Sequence, residues 1–441
     1  MTSGAPNILY IHSHDTGRYI QPYGYAVPTP NLQKLAEEGV LFRRNFCANP
    51  TCSPSRAAML TGTYPHQTGM WGLAHRGWDM NDYGEHIIHT LKKAGYRTAL
   101  SGIQHIVHHN RTDEIGYDEV LIPPGAAGSP ELAASSWLHR QKKAEQPFFL
   151  SVGFGETHRA FPGDGWTVNP NYLMPPSPIP DTRSTREDMA GFITWAGVLD
   201  RKMGVVFNTL RDAGLWDNTL IICTTDHGIA FPRMKCNLTD PGIGVMLIMH
   251  GPGGYTGGRA VDALVSHLDI FPTICDAAGI EAPKRCTGSS IRPLVTGQAD
   301  SIRDEIHAEV NYHACYEPMR CVRTDRYKYI RRYSDRDKPV LPNCDQSPSK
   351  DLIMEAGWYP VEREMLYDTI LDPHETGNLA GKPEAEEVLA DMQKRMARWQ
   401  EETDDPILKG PLPAAPEAVF NDPDAVSPQS EMGPIDQYPQ Y

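Results

Sequence analysis

The sequence predicts an α/β protein: a large, mostly parallel sheet flanked by helices, then a smaller antiparallel sheet with one helix. Three observations lead there. Four short apolar runs each end abruptly in His or Asp. Helix-type segments closed by glycine lie between them, as parallel strands require, because each crossover needs a dozen or more residues. Beyond about residue 300 the chain changes to apolar–polar alternation around a turn signal, the pattern of a hairpin.

The first run, Asn7-Ile8-Leu9-Tyr10-Ile11, turns polar at His12-Ser13-His14-Asp15. It reads as the carboxyl end of a buried strand, where open α/β sheets place their sites. A helix is expected from Thr29 to Glu38, with Pro30 near its start and Gly39 after it, and another from Gly84 to Ala94. Arg97–Ser101 returns as a strand leading to His105. Pro147–Phe154 forms the next strand and runs out at Glu156-Thr157-His158. A long amphipathic helix covers Arg186–Ala213 and stops at Gly214. Thr219–Thr224 is the fourth strand, ending at Asp226-His227-Gly228. The recurrence argues for one site along one edge of the sheet.

Later, Met319–Ile330 alternates around Thr324-Asp325-Arg326 and reads as a hairpin. Leu366-Tyr367-Asp368 and a polar helix from Pro383 to Glu402 follow. We divide the chain into a catalytic α/β unit (1–300), a smaller α+β unit (301–409) and a Pro- and acid-rich tail (410–441). The tail is expected to wrap the surface or to mediate contacts in a homo-oligomer.

Composition narrows the function. The 441 residues carry a formal net charge of -14, which argues against a broad nucleic-acid surface. An anionic substrate must then be drawn in by local cations. The start lacks a basic segment followed by an apolar run, and no stretch is apolar for a membrane's thickness, so neither a leader nor a membrane partner is expected. The nine cysteines are scattered, with no CxxC pair. That suits a reducing cytoplasm better than a disulfide framework.

The most specific stretch is Cys52-Ser53-Pro54-Ser55-Arg56, continued by Ala57-Ala58-Met59-Leu60-Thr61-Gly62. Ser53 suits an N-cap, Pro54 the first helical position and Gly62 a left-handed stop. Residue 52 is therefore expected just before a short helix, where free N–H groups favour a bound oxyanion. Arg56, one turn on, has a planar fork able to hold nucleophile and substrate oxyanion together.

This stretch closely resembles the signature of the type I sulfatases, a family of the alkaline phosphatase superfamily. The resemblance extends over Pro6–Leu9 with Asp15, Thr63–Met70, Asp217–Leu220 before Asp226, Leu268–Thr273, and Leu366-Tyr367-Asp368 with Asp372-Pro373. Within the family, Ser53–Met70, Phe231-Pro232 and Asp372–Thr376 look most like the heparan N-sulfatase branch. The resemblance implies an alkaline-phosphatase-like fold and hydrolysis of sulfate esters or sulfamates, small anionic substrates. It also implies that Cys52 is converted to formylglycine by a maturation enzyme. The hydrated aldehyde would be the nucleophile and Arg56 would steady it. Asp15 and Asp226 would bind one divalent cation, calcium by family habit. His105 would orient or deprotonate the aldehyde hydrate, His158 would protonate the leaving group, and Lys235 would contact a substrate oxyanion, with Arg233 as competitor.

Three departures stand out. The family's Asp-Asp pair is His14-Asp15, its Asp-Asn pair is Asp226-His227, and its lysine two positions before His105 is Ile103. Imidazole in place of hard oxygen suits manganese, zinc or iron better than calcium. An Asp-His pair also occurs in the related phosphonate monoester and phosphodiester hydrolases, so that activity is the nearest alternative. A catalytically inactive binding protein of the same fold is the other. His227, directly after Asp226 at a strand end, is expected to be a ligand. His14 is either a ligand or a hydrogen-bond partner of one. His12, His108 and His109 are expected at the surface or behind the site; the alternative for one of the latter two is to stand in for the lysine. His75, Arg76, His313 and Arg320 lie in segments expected to face the substrate.

Overall fold

The computed structural model describes residues 4–123, 125–142, 144–357, 360–438 and 440. Eight strands make the main sheet: β1 (Asn7–His12), β2 (Val40–Phe42), β3 (Arg97–Gly102), β4 (Glu119–Ile122), β5 (Phe148–Gly153), β6 (Thr219–Thr224), β7 (Leu247–His250) and β8 (Arg259–Val261). Their order is β4-β3-β5-β1-β6-β7-β2-β8. The four strands predicted to end in His or Asp are neighbours, β3-β5-β1-β6, and all run parallel. Only β7 runs antiparallel to its neighbours. Strands β1, β5 and β6 are buried along their whole length, as parallel strands covered on both faces must be.

Helices cover both faces. On one lie α2 (Cys52–Thr61), α3 (Ile87–Lys93) and α6 (Ile270–Ala278), packed on Ile8, Tyr10, Leu220 and Ile222. On the other lie α1 (Pro30–Glu38), α4 (Pro130–Gln141) and α5 (Arg183–Asp212), packed on Leu9, Ile11, Ile221 and Cys223. The stripe Leu199, Met203, Val206 and Leu210 of α5 is fully buried. Each such side chain contributes about 1.5–3 kcal/mol.

Boundaries differ from expectation where side chains choose the cap. Helix α5 starts at Arg183, since Thr182 and Thr185 form a reciprocal cap. Helix α3 starts later than Gly84, because the His86 ring caps Ile88 N–H. The expected N-cap at Ser53 is corrected: Thr51 is the N-cap and Cys52 the first helical residue. Ser53 Oγ instead accepts the Ala74 N–H at 3.0 Å.

A separate antiparallel sheet, β9 (Glu305–Tyr312), β10 (Tyr316–Thr324), β11 (Tyr327–Arg332) and β12 (Glu364–Asp368), follows in sequence order. One face carries α7 (Glu386–Glu402) through Met392, Met396 and Trp399. The other buries Val310, Met319 and Cys321 against Phe46, Ile243 and Val245. The tail is built into the structure: Leu412, Ala418 and Phe420 are buried, and Tyr312 donates to Leu412 O at 2.6 Å. Among the described residues no helix is long and apolar enough to cross a membrane.

Candidate active site

Strand order brings the polar strand ends together. His14 and Asp15 follow β1, Asp226 and His227 follow β6, and Cys52 opens α2 beside them. One ligand atom from each of these five buried residues lies within 4.8 Å of every other. The His14 Nδ1 is 2.7 Å from Asp15 Oδ1 and 3.1 Å from Asp226 Oδ2. The His227 Nε2 is 3.2 Å from Asp15 Oδ1 and 3.3 Å from Cys52 Sγ.

The second layer fixes these rings. His227 Nδ1 lies 3.0 Å from Gly228 O. Its N–H is thereby assigned to Nδ1, and Nε2 presents a lone pair to the cluster. Burial holds His14 down at about pKa 4 against the pull of Asp226 and Asp15, so its ring is neutral near pH 7. The two carboxyls titrate well below the usual range despite burial, Asp15 chiefly because of Lys235 and Asp226 chiefly because of His227. Two ionised carboxylates and two imidazole lone pairs converging in a buried pocket are the donor set of a divalent metal. His14 lies inside this donor set, with its Nδ1 also in hydrogen-bonding distance of Asp15.

The cations support this frame. Arg56, 1% exposed, donates to Asp226 Oδ2 and Ser13 O, both at 2.9 Å, with Nη1 2.6 Å from His12 Nδ1. Nη2 is committed to Asp226 and Ser13 and Nη1 contacts His12, so the fork orients Asp226, while the buried Nε has no partner among the described residues. His12 is buried behind the cluster, not at the surface. Lys235 Nζ lies 2.8 Å from Asp15 Oδ2, 3.0 Å from Asp345 Oδ2 and 3.3 Å from His158 Nε2. Burial opposes its charge, yet Asp15 and Asp345 hold its pKa well above the usual range. Arg233 is turned away and donates to Glu375 O.

Burial pushes the Cys52 thiol well above its usual range, so as a thiol it stays protonated. Asp15 and His105, and Arg233 and Cys236 on either side of Lys235, sit at positive φ of 55–64°. Left-handed backbone in residues with side chains costs about 1–3 kcal/mol each and persists where surrounding structure imposes it. Gly228 is required by a close approach: a Cβ there would lie 1.9 Å from Pro241 O.

A cleft of about 770 Å³ opens from the cluster. Its lining includes the imidazoles of His14, His105, His158, His75, His108 and His109 and the apolar side chains of Ile103, Phe154 and Trp195. His158 Nδ1 sits 2.5 Å from Arg159 O, which leaves Nε2 facing the cluster. His105 Nε2 meets His75 Nδ1 at 3.2 Å, while its buried Nδ1 has no partner. The structure thus brings Cys52, His14, Asp15, Asp226, His227, His105, His158, Lys235 and His75 to one place.

Two of the predicted substrate-facing residues are corrected. Arg76 is buried, donating to Ala314 O and Asn421 Oδ1. Arg320, fully buried, forms a two-point pair with Asp405 at 2.6 and 2.9 Å. Both are spent inside the structure. His313 is buried too, and its pKa is pushed well down by burial and then by Lys235. Sequence reasoning missed Asp345, which lies in a polar stretch with no periodicity or motif to mark it.

Comparison with known proteins decides the family. The sulfatase family model matches residues 6–280, and a model of the N-sulphoglucosamine sulphohydrolase C-terminal region matches 234–356. The chain belongs to the sulfatase family. As a sulfatase it is a hydrolase of sulfuric esters. It is 31% identical to human N-sulphoglucosamine sulphohydrolase, over 96% of this chain and 94% of the relative. Two solved structures share its fold. One, in complex with its substrate D-glucosamine-2-N,6-O-disulfate, has a TM-score of 0.70 at 18% identity, covering 92% of this chain and 99% of that one. The other, a phosphonate monoester hydrolase from Silicibacter pomeroyi, has a TM-score of 0.69 at 20% identity, covering 90% and 96%. The sulfatase and C-terminal matches overlap on the segment that holds Lys235.

Proposed function

We propose that this sulfatase cleaves a sulfate ester or a sulfamate with a formylglycine made from Cys52 and one divalent metal ion. The observation that supports this is the five-residue cluster, in which Cys52 Sγ lies among two carboxylates and two imidazoles, where an aldehyde made from it would sit. The 31% identity to a sulphohydrolase of an N-sulfated sugar supports the sulfamate half of the reading. Nine free cysteines, eight of them buried, fit a reducing compartment and support a cytoplasmic protein that meets its maturation enzyme there.

Asp15, Asp226, His14 and His227 would hold the ion, and two imidazoles favour manganese, zinc or iron over calcium. When bound, such an ion holds an oxyanion and lowers the pKa of a neighbouring hydroxyl. The hydrated aldehyde supplies two geminal hydroxyls, one to attack and one to re-form the carbonyl. Arg56 keeps Asp226 oriented. His105 Nδ1, free of any partner, can receive the proton of the attacking hydroxyl. His158, whose Nε2 faces the cluster, would protonate the leaving group, while Lys235, 3.3 Å away, keeps its charge to meet a substrate oxyanion; such general-acid catalysis contributes about 10²–10⁴-fold.

The decisive experiment is kcat/KM on matched aryl sulfate, aryl sulfamate and aryl phosphonate esters with metal-reconstituted protein. Preference for the sulfur substrates is expected. Preference for the phosphonate would transfer the activity to the hydrolases that share the Asp-His pair, and turnover of none would leave a binding protein. Asp226→Ala is expected to lose the metal, because it removes one of four donors and the anchor of Arg56. Elemental analysis of the purified variant checks this, and undiminished metal content would contradict the assignment. In the wild type the same analysis is expected to find a transition metal in place of calcium.

A further inference from the structure

Lys235 has three N–H donors and three neighbours within reach: Asp15, Asp345 and His158. Two are carboxylates. The cation next to Asp15 is therefore already held by two anions before any substrate arrives, and the two cations that line the cleft, Arg159 and Lys202, are each paired with a carboxylate of their own, Asp188 and Glu156.

Asp345 is not there by accident of a loose loop. The preceding Asn343 accepts the Ala314 and Cys315 N–H groups on its side-chain oxygen, at 3.0 and 2.9 Å, and donates to Glu317 at 3.0 Å. Lys350 Nζ ties down the carbonyls of Leu341 and Cys344 at 2.8 and 2.6 Å. The Asp345 side chain is 16% exposed and, among the described residues, pairs with no cation except Lys235. Its backbone is clamped on both sides so that its carboxylate faces Lys235.

We propose that Asp345 sets the charge of the anion this site accepts, favouring a singly charged ester over a doubly charged one. Around the cluster stand three carboxylates, Asp15, Asp226 and Asp345, against two cations, Arg56 and Lys235. A bound divalent ion leaves one net positive charge, which matches a sulfate ester or sulfamate and leaves the second charge of a phosphate-monoester-type dianion unmatched. The dianion also feels the Asp345 carboxylate twice as strongly as the monoanion does. Asp345 is thus a specificity residue acting through Lys235. The inference rests on reading the cluster as the site of sulfuric-ester hydrolysis.

The test uses the full-length, metal-loaded protein and two unreactive analogues of one shape, benzenesulfonate and phenylphosphonate. Calorimetric titration is run at a pH where the first is singly and the second doubly ionised. The wild type is expected to bind the sulfonate more tightly. Asp345→Asn, which keeps the shape, should strengthen both and shift the ratio of the two dissociation constants by about tenfold toward the phosphonate. An unchanged ratio in a variant that keeps its fold and metal overturns the proposal. Should the variant not fold, the wild type decides alone: equal or tighter binding of the dianion overturns it. If an aryl sulfate is turned over while the ratio does not move, only the role of Asp345 fails. If the wild type binds neither analogue and turns over no aryl sulfate, the site assignment fails and this inference with it.

Discussion

Replacing Cys52 with Ser or Ala is expected to lower multiple turnover of an aryl sulfate by at least about 10³-fold. The reason is chemical before it is structural. As a buried thiol Cys52 stays protonated and is a poor nucleophile, and a serine offers one hydroxyl where the hydrated aldehyde offers two. One hydroxyl can attack, but it has no partner oxygen with which to re-form a carbonyl and let the product go. Serine is therefore expected to react at most once and alanine not at all. Steady-state kinetics, with mass spectrometry of the peptide containing residue 52, separates the cases. The wild-type peptide should carry the aldehyde in place of the thiol. Near-normal turnover by Cys52→Ser would falsify the formylglycine reading. Because Cys52 is the first residue of α2 and its Sγ makes one polar contact, to His227, neither change should unfold the protein.

The largest expected effect on stability lies elsewhere. Asp405→Ala is expected to cost about 3–5 kcal/mol, the range for removing one partner of a buried ion pair. Arg320 and Asp405 are both nearly inaccessible. Arg320 also donates to Asn311 Oδ1 at 2.8 Å and lies 3.5 Å from Glu309, which pairs with His66 at 2.9 Å. The network joins β9, β10 and the chain after α7 to the segment that follows α2. Losing Asp405 leaves a guanidinium buried with less than its full set of acceptors. Denaturant unfolding checks the cost, and a midpoint equal to the wild type would show that the pair contributes nothing. Asp405→Asn should cost less, since the amide oxygen keeps one acceptor.

The pH dependence has a definite sign. Burial tends to raise the Asp405 carboxyl, but Arg320 holds it down at about 2. Its stabilisation is therefore present above the unfolded value, near pH 4, and is lost as the pH falls toward 2. The acid limb of a stability–pH curve should be flatter in Asp405→Asn.

His66, Glu309 and Asp405 also form a tight buried group of ligand type. Here each group is satisfied inside the protein, which separates them from the Cys52 cluster. His66 holds Glu309 and the Thr403 carbonyl, and Asp405 holds Arg320 and Gln400. The two clusters look alike as lists of residues. They differ in that the first leaves lone pairs aimed at one another and the second does not.

Much was legible in the chain before folding. Apolar runs ending in His or Asp announced both the sheet and the edge that carries the site, because a strand buried on both faces must be apolar until it leaves the sheet. Cys52, Arg56 and the Asp226-His227 pair could be singled out because motif chemistry is local: a cysteine at a helix start, a guanidinium fork one turn on, an Asp-His pair at a strand end. What the sequence by itself determined is therefore the fold class, the family signature and the donor types.

Only the tertiary structure decided which charges are free. Arg76 and Arg320 look like substrate cations in sequence and are in fact spent on Asn421 and Asp405, residues 345 and 85 positions away. His14 meets Asp226 because β1 and β6 are neighbours. Asp345 joins the site across 110 residues from Lys235 through the clamp of Asn343 and Lys350. Whether an ionisable side chain faces a substrate or a partner depends on which distant charge burial sets beside it. Local periodicity carries no record of that pairing, since the energy that fixes it arises only when both groups leave water together.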